Sequence, residues 1–347
     1  MTHSNGTTRR AMLRGAALSA LAAPALVGRG IAQGQVNWRM QSHVPKASSS
    51  FTDSYIVIAD ELDRRTDGAF KLEIYGDGEF SKGGEVYNLV RKGVVPIGSC
   101  SPSYFQDRAQ TAAFVYGIPG TFRAAWEMEH AIKNLGLEAM LVEELLPDGV
   151  RFFAEKVYPT ELVVSKRIES AADFQGLKVR SSGTMLDYLA AAGAAPQYIP
   201  GSELYQALSS GVVDGAHWGA AAGAKSMSLW EVCPYHMKPP LGLTGEGIIV
   251  NADAYDGLDP ELQTILTDVL ESRFWRRSAD YLHKEAIALA SGVAENGVEV
   301  VEMPEDVSEM LTAASSDIMD KEAEKGEHAA RAADIYRGLM RDLGYIS

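Results

Sequence analysis

The stretch from Ala171 to Arg180 reads AADFQGLKVR, and the stretch from Gly201 to Trp218 reads GSELYQALSSGVVDGAHW. The first predicts a turn and a short strand that ends at Arg180. The second predicts an amphipathic helix and a glycine-bounded turn, with His217 directly before Trp218. Strands that alternate with helices in this way are typical of α/β folds. An arginine near an aromatic ring suits a small carboxylate, because the guanidinium donors match two carboxylate oxygens.

The same alternation continues on both sides of this stretch. Residues 36–100 predict a β-α-β-α-β unit, and a helical run is expected from Ala124 to about Leu145. A strand from Ile248 to Asn251 is expected to return to the first unit. The pattern therefore predicts a two-lobed α/β protein, in which each lobe is a mostly parallel sheet flanked by helices.

The C-terminal part predicts one long helix after Asp259 and a final helical region from Pro304 to about Leu343. The long helix keeps an apolar face for roughly 35 residues, and at about 1.5 Å per residue it would run roughly 52 Å. Because that exceeds the width of one lobe, we expect the helix to span both. The expected divisions are lobe I at residues 33–157 and 243–259, lobe II at 158–242, and the spanning helix with the C-terminal helices at 260–347. A chain that crosses twice between lobes makes a hinge, and ligands bind in the cleft between lobes.

The first 32 residues have the features of an export signal. Arg9 and Arg10 precede an apolar, alanine- and leucine-rich run to about Val27, followed by small residues at Gly30 and Ala32. Such a charged segment, short apolar run and small-residue cleavage site are typical of signal peptides, and the paired arginines resemble a twin-arginine signal. The apolar run is shorter than the roughly 20 residues of a permanent membrane helix, although a membrane anchor is the alternative. We expect residues 1–32 to be removed and the mature protein to be periplasmic.

The charge balance excludes some partners. The chain has 32 basic and 46 acidic residues, for a net charge of −14. Four arginines and no acids lie in residues 1–32, so the rest carries 28 basic and 46 acidic residues. An acidic surface repels nucleic acid and anionic lipid, so neither is expected as a partner. An anionic ligand would need a local positive group, which draws attention to any buried arginine.

The sequence offers little support for catalysis or for a metal centre. It has no Gly-x-Ser-x-Gly elbow, P-loop or dinucleotide-binding glycine motif in the required context. Cys100 and Cys233 lie far apart, and no Cys/His cluster has the spacing of zinc ligands. The periplasm permits a disulfide, but a chain of this length does not need one, and two apolar core residues are the favoured interpretation.

Five residues are candidates for a binding site. Arg180 ends a strand, and ligands of open α/β sheets bind at that edge, although a surface arginine is the alternative. Trp218 is either ordinary core or an aromatic wall, and the glycines around it suggest close approach of backbone or ligand. His217 is a ligand donor, a metal ligand or a histidine that supports other side chains. His43 follows the first strand and Tyr104 the third, so all five are expected at one cleft.

The chain resembles the solute-binding subunits of tripartite ATP-independent periplasmic (TRAP) transporters over nearly all of residues 36–345. The most specific matches are DFQGLKVR at residues 173–180 and ExYQALxxGxxDG at residues 203–215. The resemblance implies a binding protein rather than an enzyme, which delivers a small organic acid to TRAP membrane subunits. It also implies that Arg180 pairs with the ligand carboxylate. The alternative is an exported enzyme that contains a cofactor.

The residue at position 218 separates branches of this family. Trp218 resembles the branch that takes 2-oxo acids and related monocarboxylates, sometimes through a bridging metal cation. In that branch a metal-binding glutamate usually precedes the tryptophan, whereas here the residue is His217, with no clear replacement carboxylate near Leu241–Thr244. Hard cations want oxygen ligands. We therefore expect direct ligand binding with no metal. We also expect no cofactor, and a protein that is a monomer or a homodimer.

Overall fold

The computed structural model describes residues 34–347 of the protein. Its strands are β1 (Val36–Gln41), β2 (Phe70–Tyr75), β3 (Ile97–Cys100), β4 (Val150–Thr160), β5 (Leu162–Val164), β6 (Lys178–Arg180), β7 (Ala195–Gln197), β8 (Gly215–His217), β9 (Tyr235–Lys238), β10 (Gly242–Asn251) and β11 (Glu299–Glu302). Its α-helices are α1 (Val57–Arg65), α2 (Val86–Arg91), α3 (Ala112–Tyr116), α4 (Ala125–Lys133), α5 (Leu137–Leu145), α6 (Ala171–Phe174), α7 (Thr184–Ala191), α8 (Leu204–Ser209), α9 (Ala221–Ser226), α10 (Ala252–Asp256), α11 (Pro260–Glu295), α12 (Glu305–Ala323) and α13 (Glu327–Asp342). The export signal predicted at residues 1–32 lies outside the described residues.

The first sheet has the strand order β2-β1-β3-β10-β4. Strand β1 is parallel to both β2 and β3, whereas β10 is antiparallel to β3 and β4. Helices α4 and α5 pack against β4, and α2 packs against β3. This sheet and its helices form the first lobe.

The second sheet has the strand order β11-β9-β5-β8-β6-β7. Parallel pairs join β11 to β9, β8 to β6 and β6 to β7, and antiparallel pairs join β5 to β8 and β9. The prediction of two α/β lobes is confirmed, but both sheets are mixed. Every antiparallel pair includes β5 or β10, which are the strands that follow the two crossings of the chain between the sheets.

Two short junctions connect the lobes. Glu161 alone separates β4 of the first sheet from β5 of the second, and residues 239–241 separate β9 from β10. The exact lobe limits given above, 33–157 with 243–259 for lobe I and 158–242 for lobe II, stay a prediction.

The long helix spans both lobes, as expected. Helix α11 has 36 residues and packs against α1 and β4 of the first lobe and α9 of the second. Its inward face includes Leu262, Leu266, Phe274 and Tyr281, all buried. Among the described residues, no helix combines the length and the apolar character that crossing a membrane requires.

Several predicted elements differ from the structure. The run from Ala124 to Leu145 is two helices, because Gly136 adopts a left-handed conformation with φ of 95° between α4 and α5. The final helical region is also two helices, separated by residues 324–326. The strand predicted from Ile248 begins at Gly242, and the pattern did not reveal β9 or β11. Both missed strands have only four residues, which are too few to show a clear alternation of apolar and polar side chains.

The two cysteines are free thiols in the core. Cys100 lies in β3 and Cys233 lies before β9, and both are fully buried. Burial raises the pKa of both thiols, that of Cys233 to about 12, so both stay protonated. The interpretation as apolar core residues is confirmed.

Candidate ligand-binding cleft

One cavity of about 50 Å³ lies between the ends of strands from both sheets. All five candidates from the sequence line it, namely His43, Tyr104, Arg180, His217 and Trp218. Other described residues in its wall include Ser48, Ser50, Ser101, Tyr116, Lys156, Tyr158, Ser182 and Glu246. Since about 10–15 Å³ of such space holds one water, the cavity suits a ligand of only a few heavy atoms.

Arg180 is the last residue of β6 and its side chain is held from two directions. Its Nε donates to the carbonyl of Ile199 at 2.9 Å, and its Nη1 donates to the carbonyl of His217 at 2.9 Å. The guanidinium lies 4.7 Å from the ring centroid of Trp218. Arg180 is 2% exposed, and no carboxylate in residues 34–347 forms a salt bridge with it. A buried cation without an anion is costly, so an anion placed beside this guanidinium would be stabilised.

Close glycine contacts set the position of Trp218. A Cβ at Gly201 would lie 2.3 Å from the far edge of the Trp218 ring, and a Cβ at Gly223 would lie 2.6 Å from its carbonyl oxygen. Gly219 has φ of 64° and lies against the hydroxyl of Tyr281. Gly215 instead allows close packing against Val163 of the neighbouring strand β5. The glycines near Trp218 thus allow protein groups to approach, and Trp218 remains partly open toward the cavity.

His217 is buried in β8 and is neutral. Its Nδ1 lies 3.1 Å from the hydroxyl oxygen of Ser181. Burial, followed by the neighbouring charge of Arg180, lowers the pKa of His217 to about 3. Its Nε2 has no hydrogen bond to the part of the chain that the structure describes, so a neutral ring can exchange one hydrogen bond with a ligand.

His43 and Tyr104 come from the first lobe. His43 follows β1, and its Nδ1 lies 2.9 Å from the hydroxyl oxygen of Ser99. The His43 ring meets Tyr104 edge to face at a centroid distance of 5.9 Å, and Tyr104 meets Tyr198 in the same way at 5.7 Å. These aromatic contacts link the first lobe to the residues that follow β7 in the second.

Two charged residues of the cavity, Lys156 and Glu246, were not among the sequence candidates. They face each other across β4 and β10. The pairing register shifts here, leaving Glu155 as an extra residue in β4. Such a bulge re-aims the side chains next to it. Lys156 donates to the Glu155 carboxylate at 2.6 Å, and both are buried.

The two carboxylate oxygens of the buried Glu246 have different contacts. Its Oε1 accepts a hydrogen bond from the Tyr158 hydroxyl at 2.8 Å. Its Oε2 lies 3.3 Å from Nε2 of His43, but it has no well-aligned hydrogen bond within residues 34–347. Burial would raise the pKa of Glu246, but the neighbouring His43 and Lys156 hold it below its usual value.

A signal for Glu246 was present in the sequence. It is a single acid between Gly245 and Gly247 in an otherwise uncharged run. A Cβ at Gly245 would lie 2.2 Å from the carbonyl oxygen of Val115, and one at Gly247 would lie 2.1 Å from the Phe152 ring. The glycines therefore allow β10 to pack closely on both sides while the acid faces the cavity.

The cavity fits a bridging metal cation poorly. Glu246 is the only carboxylate among the described residues that line it. Across residues 34–347, no group of three or more His, Cys, Asp or Glu side chains is arranged to hold a metal ion. Calcium takes six to eight oxygen ligands, whereas the position before Trp218 offers the imidazole of His217.

Comparisons with known proteins identify relatives over most of the chain. The family model described as "bacterial extracellular solute-binding protein, family 7" matches residues 41–325. A monocarboxylate 2-oxoacid-binding periplasmic protein of Nostoc sp. is 26% identical over 327 residues, which covers 89% of this chain and 85% of that protein. The C4-dicarboxylate-binding periplasmic protein of Rhodobacter capsulatus is 27% identical over 58% of this chain and 61% of its own length.

Solved structures show the same fold. A TRAP solute-binding protein from Bordetella bronchiseptica, a dimer with calcium and picolinate in one site, has a TM-score of 0.83 at 22% identity, covering 90% of this chain and 94% of that one. A TRAP solute-binding protein from Pseudoalteromonas atlantica with sodium and pyruvate has a TM-score of 0.82 at 21% identity, covering 90% and 95%. The branch that Trp218 suggests stays a prediction. The resemblance to the solute-binding subunits of TRAP transporters is confirmed, and the chain belongs to family 7 of the bacterial extracellular solute-binding proteins.

Proposed function

We propose that this periplasmic protein captures a small carboxylate between its two lobes and delivers it to the membrane subunits of a TRAP transporter. The observation that carries the proposal is Arg180, a buried guanidinium whose Nε and Nη1 are fixed by carbonyls and which has no carboxylate partner in residues 34–347. A ligand carboxylate would supply the missing charge and accept from the remaining guanidinium donors. The names of the Nostoc and Rhodobacter relatives, both carboxylate binders, support this ligand class.

The other four residues would shape and select the ligand. Trp218 and Tyr104 give the cavity its aromatic walls, and His43 and His217 offer polar contacts from opposite lobes. Because the walls come from both lobes, a ligand would stabilise the closed arrangement through contacts that the open arrangement cannot make together. Closure would thus depend on binding.

Thermal unfolding with a panel of acids tests this function. The panel contains 2-oxo acids, hydroxy acids, amino acids, aromatic acids and dicarboxylates. A ligand that binds only the folded protein raises its melting temperature, by the equivalent of about 2.7 kcal/mol at a hundred times Kd. We expect one group of acids to stabilise the parent protein and to have little effect on Arg180→Ala.

The matched control is Arg108→Ala, which removes an exposed arginine outside the cavity. This variant should respond to the same acids as the parent. An equal response of Arg180→Ala to the best acid would contradict the proposal. A panel without any stabilising acid would contradict it as well.

The proposal also covers the export route, the oligomeric state and the way in which the ligand is held. We infer that residues 1–32 direct export by the twin-arginine route, that the protein is a monomer or homodimer, and that ligand binds without a metal or cofactor. The tryptophan at position 218 favours the monocarboxylate branch. The poor donor set for a cation supports direct binding.

The alternative function, an exported enzyme with a cofactor, has no support among the relatives, which are binding proteins. The absorption spectrum and metal content of the purified protein distinguish the two. A stoichiometric chromophore or redox metal would favour the enzyme. A colourless protein without a redox metal that responds to acids through Arg180 would favour the binding protein.

A further inference from the structure

Glu246 is the one carboxylate among the described residues that line the cavity, and it comes from the lobe that does not carry Arg180. Its side chain is buried, with the residue 6% exposed, and it belongs to β10 of the first lobe. One oxygen is satisfied by Tyr158, while Oε2 has no well-aligned donor within residues 34–347. The cavity therefore presents a fixed donor group from one lobe and, from the other, a carboxylate oxygen that can accept a further hydrogen bond.

The neighbouring basic side chains leave this acceptor without a well-aligned hydrogen bond. Lys156, directly across the strand pair, directs its ammonium group to Glu155 at 2.6 Å. His43 approaches at 3.3 Å but without good hydrogen-bond alignment, and its other nitrogen faces Ser99. These neighbours lower the pKa of Glu246, so the carboxylate stays ionised and remains a strong acceptor.

Oε2 of Glu246 has the His43 contact but no well-aligned hydrogen bond, so it can accept one from a ligand, and a hydrogen bond to a charged acceptor is strong. The small volume of the cavity means that one ligand of a few heavy atoms touches both walls. A ligand whose carboxylate meets Arg180 would then place its neighbouring substituent near Glu246. A donor there forms a hydrogen bond, while a carbonyl oxygen there is repelled by the carboxylate.

We propose that the ligand is a small carboxylic acid whose second carbon bears a hydrogen-bond donor, the O–H of a 2-hydroxy acid or the N–H of a 2-amino acid. Its carboxylate pairs with Arg180 and its donor binds Oε2 of Glu246. Glu246 is thus the residue that separates donor-bearing acids from 2-oxo acids. This inference rests on the proposed function and names its ligand class.

Four acids of three carbons test the inference, since they share a carboxylate and differ at the second carbon. Lactate carries an O–H donor, alanine an N–H donor, pyruvate an acceptor and propionate neither. Affinities are measured by calorimetry with a chelator in sodium-free buffer, and again with calcium or sodium added. We expect lactate or alanine to bind at least about tenfold more tightly than pyruvate and propionate without added metal.

Glu246→Gln tests the residue itself. The glutamine amide is neutral and can donate to a carbonyl, so the preference for the donor-bearing acid should fall to within about threefold or reverse toward pyruvate. Glu138→Gln is the matched control, because Glu138 is a largely buried carboxylate, bonded to Lys133, outside this cavity. It should keep the preference of the parent. Circular dichroism and melting temperature show whether each variant is folded.

If Glu246→Gln does not fold, Tyr158→Phe replaces it. This variant frees the other oxygen of Glu246 and should retain or increase the preference for donor-bearing acids. A loss of that preference would overturn the inference.

Three results overturn the inference. Pyruvate could bind as tightly as lactate and alanine, pyruvate could bind best and only with added calcium or sodium, or none of the four acids could bind. The proposed function is judged separately, because a larger acid that stabilises the parent through Arg180 would preserve it even if all four fail.

Discussion

The two walls of the cavity differ in origin and in charge. The wall from the second lobe, Arg180, His217 and Trp218, comes from a single segment of 39 residues and carries a cation with no salt bridge within residues 34–347. The wall from the first lobe is assembled from distant parts of the chain, from His43 to Glu246, and its lysine is already paired with Glu155. Under the proposed function, the second wall would attract the ligand by charge, while the first wall would select among acids.

Buried carboxylates near the two walls show how the environment sets protonation. Burial would raise the pKa of Glu246 in the first wall, but the neighbouring His43 and Lys156 lower it. Glu285 of α11 supports the second wall, because it accepts from the backbone N–H of Ala222 in helix α9, which follows Trp218. Burial and, to a lesser degree, the nearby Glu161 raise the pKa of Glu285 to about 7.

Glu285→Gln should produce the largest change in stability. Because the pKa of Glu285 is higher in the folded protein than in the unfolded chain, its contribution favours folding at low pH and is lost as pH rises from about 4.5 to about 7. The full change is on the order of 3 kcal/mol. The glutamine variant should therefore gain stability relative to the parent above pH 7, as measured by urea unfolding between pH 5 and 8.

Glu246 should change the pH dependence of stability in the opposite direction, and urea unfolding of Glu246→Gln measures this. The lowered pKa of Glu246 means that its ionised form stabilises the fold above the unfolded pKa, and this contribution is lost only as pH falls through the folded pKa. Its glutamine variant should be less stable than the parent at neutral pH. A difference between Glu285→Gln and the parent that does not change with pH would show that Glu285 does not titrate as described.

Gly201→Ala should produce a smaller change that acts directly on the second wall. The added Cβ would lie 2.3 Å from the Trp218 ring, so either the ring or the backbone must move. Overpacking of this kind costs about 1–3 kcal/mol. Displacement of the ring from the Arg180 guanidinium should also weaken the best acid about tenfold, as measured by calorimetry.

The matched control is Gly338→Ala in α13, where a new Cβ meets no atom within 4 Å. Alanine is favoured over glycine inside a helix by roughly 0.5–1 kcal/mol, so this variant should be slightly more stable and bind normally. If Gly201→Ala behaves like Gly338→Ala, the position of Trp218 is not fixed by its contact with Gly201.

Much of the second wall could be predicted from the sequence because its residues are close along the chain. A strand that ends at Arg180 and a turn that ends at His217 and Trp218 follow from local pattern and from the family motif. Their side chains also meet in the structure through local geometry, since Arg180 donates to the carbonyl of His217 on the adjacent strand β8. Whether these residues bind ligand stays a prediction until it is measured.

Less of the first wall could be predicted from the sequence. Regular alternation would place Lys156 on the same face of β4 as the core residue Ala154, but the extra residue Glu155 shifts the alternation and turns Lys156 toward the cavity. Glu246 was missed because β10 begins at Gly242, six residues before the predicted strand, so the acid fell outside it. Lys156 and Glu246 are paired although they lie 90 residues apart in the sequence, and a local hydrophobic pattern does not reveal such pairing.

Binding of an acid and its primary amide tests the central claim most directly. The pair consists of the acid that stabilises the protein most and the amide of that acid, which keeps its size and loses its charge. If Arg180 receives a carboxylate, the amide should bind at least about a hundredfold more weakly to the parent, and the difference should largely vanish in Arg180→Ala. Equal affinity of the parent for acid and amide would contradict the account.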